Sequence, residues 1–239
     1  MDLLPARWLA TWAALNLAPP TGLCEQLLCA WDEPQRHYHT LQHLNECLAL
    51  FDTLRALAEQ PADVELALWF HDAIYDVRGH DNEARSAHWA IDALKAGGVD
   101  AARCQRVHDL IMATCHTALP ASPDQALLVD IDLAILGAPT ARFAEYTRQI
   151  GAEYAWVPLE VYAVKRRAVL QGFLDREQIY TTPAVAQRLE QRARDNLAKA
   201  ISSLWTTIHQ QAIRLIQIDC SLLDERACKP IEIQSIQAA

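Results

Sequence analysis

The chain has little glycine, no long apolar run and no closely spaced cysteine pair. Seven glycines in 239 residues are well below average usage, which disfavours a β architecture rich in turns. No stretch approaches the roughly 20 apolar residues of a membrane-spanning helix. The segment from Met1 to Pro20 has neither a basic start nor an uninterrupted apolar stretch. We therefore expect no signal peptide and no membrane partner.

The seven cysteines include no CxxC pair and are scattered along the chain. An odd, scattered set is typical of free thiols in a reducing compartment, so we expect a cytoplasmic protein without disulfide bonds. Without the paired spacing of zinc-binding motifs, the cysteines are expected to be small buried residues rather than metal ligands.

Positive charge is also scarce. The 21 lysines and arginines face 30 aspartates and glutamates, which gives a formal net charge of -9. Such a chain does not attract a nucleic-acid polymer over long range, although a local basic pocket for a small phosphate is compatible with it. The apolar fraction of 51% is that of an ordinary folded protein.

Prolines divide the chain into pieces of helix length, and between them apolar residues recur every three or four positions. Two such stripes are Leu41, Leu44, Leu48, Phe51 and Leu54, and Val185, Leu189, Ala193, Leu197 and Ile201. No strand pattern precedes residue 206. The sequence therefore predicts an all-α fold, a single-domain bundle of roughly eight to ten helices over residues 1–205. Residues 206–239 form a tail that fits an extra helix, an edge strand or a disordered extension.

Histidine is concentrated, because eight of the nine histidines fall between His37 and His116. The stretch Val64 to Val77 predicts a helix with almost no polar face, and His71 and Asp72 lie in its middle. A carboxylate there costs several kcal/mol unless it is paired or bound to a cation. Two alternatives stay open at this point: a hydrogen-bonded His–Asp pair that caps a neighbouring helix, and a metal site.

A second pair, His39 and His43, is four residues apart and would share one face of a helix. This spacing is compatible with a metal site and with a surface or structural role. Thr40 follows His39 where the zincin motif HExxH has glutamate, which argues against a protease of that class.

Further along, His116 ends an apolar stretch, and Asp130 and Asp132 interrupt another one. Aspartates two positions apart point to different faces, so only one of them is expected to enter a given site. Each residue alone is typical of a satisfied core residue. The order is more informative: His, His-Asp, His and Asp, each on its own apolar segment.

This ordered set resembles the HD-domain metal-dependent phosphohydrolase superfamily, and more closely a bacterial family of predicted HD phosphohydrolases. The resemblance extends to about residue 200 and implies a helical bundle of the HD-domain type. The stretches that carry it are Arg36-x-x-His39, Tyr38-His39-Thr40-Leu41-Gln42-His43, Phe70-His71-Asp72-Ala73-Ile74-Tyr75-Asp76, Asn82-Glu83-x-x-Ser86-Ala87, Asp132-Leu133-Ala134-Ile135-Leu136-Gly137, Glu153-Tyr154, and Ile179-Tyr180 through Ala193-Arg194-x-Asn196-Leu197.

The resemblance implies a divalent metal ion as cofactor. The metal ligands that it implies are His39, His71, Asp72 and Asp132, with Asp130 as the alternative to Asp132. His43 and His116 are candidates for a second ion or for a bound phosphate. Imidazole and carboxylate ligands suit Mn, Fe, Zn, Co, Ni or Mg and do not choose among them.

The implied activity is hydrolysis of a small phosphorylated substrate, such as a nucleotide, by metal-activated water. Asp72 would orient the water, and Asp76 or Glu83 would relay a proton unless they only cap helices. Arg36 is the first candidate for binding the phosphate charge, ahead of the run Lys165-Arg166-Arg167. Alternatives are a non-catalytic regulatory module that binds a nucleotide or metal, and a structural protein with paired His and Asp. A homo-oligomer is compatible with the sequence.

Overall fold

Ten α-helices and no strand make up residues 3–204, the part of the chain that the computed structural model describes. The helices are α1 (Leu3–Ala13), α2 (Leu23–Trp31), α3 (Leu41–Leu54), α4 (Pro61–Phe70), α5 (Asn82–Ala96), α6 (Ala101–Ala113), α7 (Pro123–Asp132), α8 (Thr140–Glu153), α9 (Leu159–Leu174) and α10 (183–204). The predicted all-α class is confirmed. The predicted tail lies outside the described residues. Within these residues, no helix combines the length and the apolar character that crossing a membrane requires.

Local chemistry accounts for where several helices begin. Pro61 and Pro123 occupy the first positions of α4 and α7, where the missing N–H of proline costs nothing. The side chains of Thr40 and Ser122 accept hydrogen bonds from backbone N–H groups in the first turns of α3 and α7. The proline boundaries predicted from sequence are therefore real helix boundaries at these points.

The central helix is α4, which packs against α1, α3, α5, α6 and α7. Every residue from 63 to 70 is buried, so the predicted lack of a polar face is confirmed. Trp69 and Phe70 join Trp8 of α1 in an aromatic cluster with ring centroids 5.1 and 6.2 Å from that of Trp8. Burial of each large apolar side chain contributes about 1.5–3 kcal/mol, so α4 is held from several sides at once.

The last helix, α10, holds the segment that follows α7. The amide of Asn196 donates to the carbonyl oxygens of Leu136 and Ala138, both at 2.9 Å, and the Tyr180 hydroxyl donates to Leu133 O at 3.1 Å. Gly137 permits this close approach, because a Cβ there would lie 2.7 Å from Cβ of Leu189. These contacts fix the position of the C-terminal end of α7.

Candidate metal centre

The C-terminal ends of two buried helices converge at one place. α4 ends at Phe70, directly before His71 and Asp72, and α7 ends at Asp132. The prediction that His71 and Asp72 lie in the middle of a helix is therefore wrong, since the helix ends one residue earlier. A helix C-terminus carries roughly half a negative elementary charge on its free carbonyl groups. Both helix ends thus favour a cation at this site.

Arg36 explains why the chain leaves the helix there. Its guanidinium donates to Asp72 O at 2.6 Å and Ala73 O at 2.9 Å, and also to His39 O at 3.2 Å. Its Nε donates to a carboxylate oxygen of Glu33 at 2.9 Å, and the side chain has no exposed surface. The structure therefore assigns Arg36 a different task from the predicted binding of phosphate: it joins the loop before α3 to the turn after α4.

Four side chains place ligand-type atoms around one point. Nε2 of His43 lies 3.2 Å from Nε2 of His71 and 3.1 Å from Oδ1 of Asp132. Nε2 of His71 lies 3.6 Å from that same Asp132 oxygen and 3.3 Å from Oδ2 of Asp72. Oδ2 of Asp72 lies 3.8 Å from Nε2 of His43. We call these four residues the His43–Asp132 cluster.

These separations fit a metal ion. Nitrogen and oxygen ligands lie about 2.0–2.2 Å from zinc, so ligand atoms of a tetrahedral site are about 3.3–3.6 Å apart. The five measured separations run from 3.1 to 3.8 Å. In addition, two imidazole Nε2 atoms that face each other at 3.2 Å repel unless a proton or a cation lies between them. The donor set and its spacing therefore suit a divalent cation.

The outer nitrogen of each cluster histidine is already occupied. Nδ1 of His71 donates to Leu68 O at 2.9 Å, so Nε2 is the ring nitrogen directed into the cluster. Nδ1 of His43 lies 3.1 Å from the Tyr38 hydroxyl, and this contact directs Nε2 of His43 toward the same point. Such outer contacts hold the tautomer and the ring orientation of metal-binding histidines.

The cluster is electrostatically negative and only its carboxylates reach solvent. The side chains of Asp72 and Asp132 are 16% and 15% exposed, whereas His43 is 2% exposed. Burial alone would raise the pKa of Asp132, but hydrogen bonds from His116, His43 and His71 hold it well below its usual range. Burial alone would lower the pKa of His71, but the charge of Asp72 and the contact with Asp132 raise it to about 9. Positive charge is thus stabilised here.

His39 lies beside the cluster but not on α3, which corrects the prediction that it shares a helix face with His43. The helix begins at Leu41, and the His39 ring centroid is 6.0 Å from that of His43. Nδ1 of His39 contacts Glu153 Oε2 at 2.9 Å, and its ring stacks on Tyr75 at 4.0 Å. With Nδ1 donating to Glu153, Nε2 of His39 is the atom available for a ligand.

Glu153 is a positioning residue, a role that the sequence did not predict although Glu153-Tyr154 is among the stretches that carry the resemblance. Its Oε1 accepts hydrogen bonds from the backbone N–H groups of His37, Tyr38 and His39, and its Oε2 accepts one from the Tyr75 hydroxyl. Burial raises its pKa, but the bonds from His39 and from these amides lower it to about 2. Glu153 is therefore a charged acceptor that holds the loop before α3.

The sequence resemblance implies that His39 is a further metal ligand. On that assignment Glu153→Gln is expected to weaken metal binding about 10–100-fold, which is typical of losing an outer partner of a ligand histidine. The new amide N–H₂ would face the donors of His39 and Tyr75, so His39 would change tautomer and present a protonated Nε2. Isothermal titration with Mn²⁺ measures the affinity, and ¹⁵N chemical shifts report the His39 tautomer. Unchanged affinity together with a changed tautomer would show that His39 is not a ligand.

His116 lies on the other side of Asp132. Its Nε2 is 3.2 Å from Oδ2 of Asp132, so one carboxylate joins His43 on one oxygen and His116 on the other. His116 adopts a left-handed backbone conformation, with φ of 54°, directly after the last turn of α6. Its predicted role toward a second ion or a phosphate stays a prediction, but its place beside the cluster is established.

Cys47 was expected to be a small core residue, and the structure adds it to the candidate ligands. The group His43, Cys47, His71 and Asp132 places one ligand atom from each residue within 4.8 Å of the others. Cys47 follows His43 by one helical turn, so the two side chains share a helix face. The sequence contains this spacing, but the absence of a CxxC pair led to the prediction that no cysteine is a metal ligand. Burial and the charges of Asp132 and Asp72 raise the pKa of its thiol well above the usual value. The five cysteines in the described part of the chain are free thiols.

Asp130 does not share the position of Asp132. Its side chain is fully buried, and its two oxygens accept the backbone N–H groups of Thr181 at 3.1 Å and Thr182 at 2.5 Å. The two aspartates thus point in different directions, as their spacing predicted. Asp132 belongs to the group that could hold a metal ion, whereas Asp130 anchors the start of α10 instead of the metal role predicted as an alternative for it.

The contacts of the other predicted site residues, Asp76, Glu83 and Arg166, also differ from one another. Asp76 is exposed, and its carboxylate accepts the N–H of Arg78 at 2.9 Å within the loop between α4 and α5, so it caps a turn rather than a helix. Glu83 lies in the first turn of α5 and has no hydrogen bond or ion pair with residues 3–204. Burial, and to a smaller extent the charge of Glu83, raises the pKa of the Cys115 thiol. Arg166 donates to the Tyr146 hydroxyl at 2.6 Å. The predicted transfer of a proton by Asp76 or Glu83 stays a prediction.

Comparison of the chain with protein-family models, with curated proteins and with solved structures gives no match. The likeness to the HD superfamily consequently rests on the residues quoted from the sequence. The class that the fold and site define is an all-α protein with a histidine–carboxylate group suited to a metal ion.

Proposed function

We propose that this protein is a metal-dependent phosphohydrolase that acts on a small phosphorylated substrate. The observation that carries the proposal is the convergence of His43, His71, Asp72 and Asp132 at separations of 3.1–3.8 Å, with the two carboxylates partly open to solvent. A closed set of four ligands would be typical of a structural metal, whereas a site that opens to solvent leaves room for water and substrate.

A divalent ion bound by this cluster would supply a hydroxide at neutral pH and polarise a phosphoryl oxygen. Side chains around the cluster would orient the water, enclose the phosphate and accept the proton. Asp72 has Oδ2 directed at the cluster, and its other oxygen is suited to orient a water by accepting a hydrogen bond from it. His39 and His116 flank the cluster from two sides and bound the space that a phosphate group would occupy. Glu83, half-buried and without a partner in residues 3–204, is suited to carry a proton away.

The buried side of the His43–Asp132 cluster is covered by Trp31, which keeps water away from the two histidines. The Trp31 ring lies 5.4 Å from the His71 ring and 6.2 Å from the His43 ring, and its indole N–H donates to Trp69 O at 3.0 Å. Apolar surroundings strengthen electrostatic interactions within the cluster, because they lower the local dielectric constant. A substrate would therefore reach the cluster from the side of the two partly exposed carboxylates.

The direct test is metal quantification followed by assay. Purified protein is expected to bind about one divalent ion per chain and to hydrolyse members of a phosphate-ester panel only when Mn²⁺ or another such ion is present. Glu83→Gln is expected to lower kcat while metal content stays unchanged, since Glu83 is not one of the four cluster residues. A metal-loaded protein that hydrolyses no monoester, diester or nucleotide would contradict the proposal, and bound metal without turnover would leave the regulatory-module alternative.

A further inference from the structure

A cavity of about 590 Å³ opens beside His116. It is bounded by the loop after α6, by Val129 and Asp130 near the end of α7, and by residues 176–181 between α9 and α10. Its size lies within the range of small-molecule sites, about 300–1,000 Å³. Because Nε2 of His116 contacts Asp132, the cavity adjoins the metal centre through a shared histidine.

Arg176 supplies the positive charge in the lining of this cavity and forms no ion pair with residues 3–204. Its guanidinium carbon lies 4.6 Å from the centroid of the Phe173 ring, and that ring lies 6.0 Å from the His116 ring. Burial lowers the pKa of the Arg176 side chain. Of the cavity's carboxylates, Asp130 is occupied by backbone amides, and Glu177 is exposed.

The rest of the lining combines polar and apolar groups. Gln178 and Thr181 supply neutral polar groups to the lining, and His116 bounds the cavity on the side of Asp132. Leu119, Val129 and Ile179 provide an apolar wall. Few convergent polar groups on an apolar wall are typical of sites for small organic molecules.

A second cavity, of about 240 Å³, adjoins His43 and Asp132 from another side. Its arginine is already neutralised, because Arg142 donates to both oxygens of Glu46 at 2.6 and 3.0 Å. This cavity is smaller and presents no comparable free cation, so the larger one beside His116 is the better site for an anionic ligand.

We propose that the larger cavity binds the part of the substrate beyond the scissile phosphate, and that Arg176 there binds a second anionic group. This inference rests on the proposed function, which places the scissile phosphate at the His43–Asp132 cluster. The substrate class is then a phosphate ester that carries a second phosphate or carboxylate group, with an apolar or planar part between the two charges.

Phosphonates test the inference without turnover, because their P–C bond is not hydrolysed. Protein loaded with Mn²⁺ is titrated calorimetrically with 6-phosphonohexanoate and 3-phosphonopropanoate, and with the alkylphosphonates of equal length that lack the carboxylate. At the chain length that spans the site, the carboxylate is expected to tighten binding about tenfold, as for a hydrogen bond to a charged group. Arg176→Gln should abolish this preference, and Arg176→Lys should retain part of it.

The matched control is Arg148→Gln, which removes the same charge from an exposed position on α8 that does not line the cavity. It is expected to leave the preference unchanged. A carboxylate preference that survives in Arg176→Gln, or wild-type protein that binds neither phosphonate, would overturn the inference. Ester hydrolysis without an Arg176-dependent preference refutes the subsite alone. An Arg176-dependent preference without hydrolysis of any ester refutes the enzymatic proposal alone.

Discussion

Asp132→Asn is expected to abolish metal binding. One carboxylate oxygen of Asp132 faces His43 and His71, and the other faces His116, so this side chain is the common partner of three imidazoles. Losing an outer partner of a ligand already costs about 10–100-fold in affinity, and the loss of a ligand charge should exceed that range. Metal content per chain, measured by mass spectrometry, should fall close to zero, and hydrolysis should fall with it.

Asp130→Asn is the matched control, because it makes the same change two positions away. The asparagine would place an N–H₂ group against the amide of Thr181 or Thr182, which leaves a buried donor without an acceptor. The free energy of unfolding should fall by about 1–3 kcal/mol while metal content persists. Metal retained by Asp132→Asn, or lost by a folded Asp130→Asn, would contradict the assignment of the two aspartates.

Arg36→Met is expected to have the largest effect on stability. The substitution keeps an apolar stem but removes the donors for the carbonyl groups of His39, Asp72 and Ala73. Buried acceptors left without donors, together with the broken contact to Glu33, should lower the free energy of unfolding by about 3–5 kcal/mol. Chemical denaturation of the metal-free protein measures this loss directly.

Two further variants distinguish this role from phosphate binding. Arg36→Lys keeps the charge but not the fork of donors, so it should still lose stability, by about 1–3 kcal/mol. Arg148→Met on the exposed face of α8 should change stability by less than about 0.5 kcal/mol. If Arg36→Lys instead raised KM and left the unfolding free energy unchanged, Arg36 would be a substrate ligand.

Much of the fold is predictable because helix formation and burial leave periodic traces. The stripe of α3 and the stripe of α10 are buried or half-buried throughout, as their spacing predicted. Prolines at the starts of α4 and α7 mark boundaries through a local effect on the backbone. The end of α4 was predicted too late, because Arg36, which lies 36 residues away from Asp72, takes up carbonyl groups that a longer helix would use.

The sequence predicted which residues lie at the candidate site better than it predicted what each of them does there. His71, Asp72 and Asp132 interrupt apolar segments, and that conflict between polarity and burial is visible in any single segment. Asp130 shows the same conflict and has a different solution, since its partners are amides 51 and 52 residues further along the chain. Periodicity separates the faces of one helix but does not say what lies opposite each face.

By itself, the sequence determined that this protein is helical, where several helices start, and which polar residues are buried at unusual cost. Only the tertiary structure decided that Asp132 rather than Asp130 joins the histidines, that Cys47 lies among them, and that Arg36 holds backbone carbonyls. It also decided that Glu153, 114 residues from His39, orients that ring. The physical reason is that burial of apolar surface acts along each helix, whereas hydrogen bonds and charge pairs act between segments that only packing brings together.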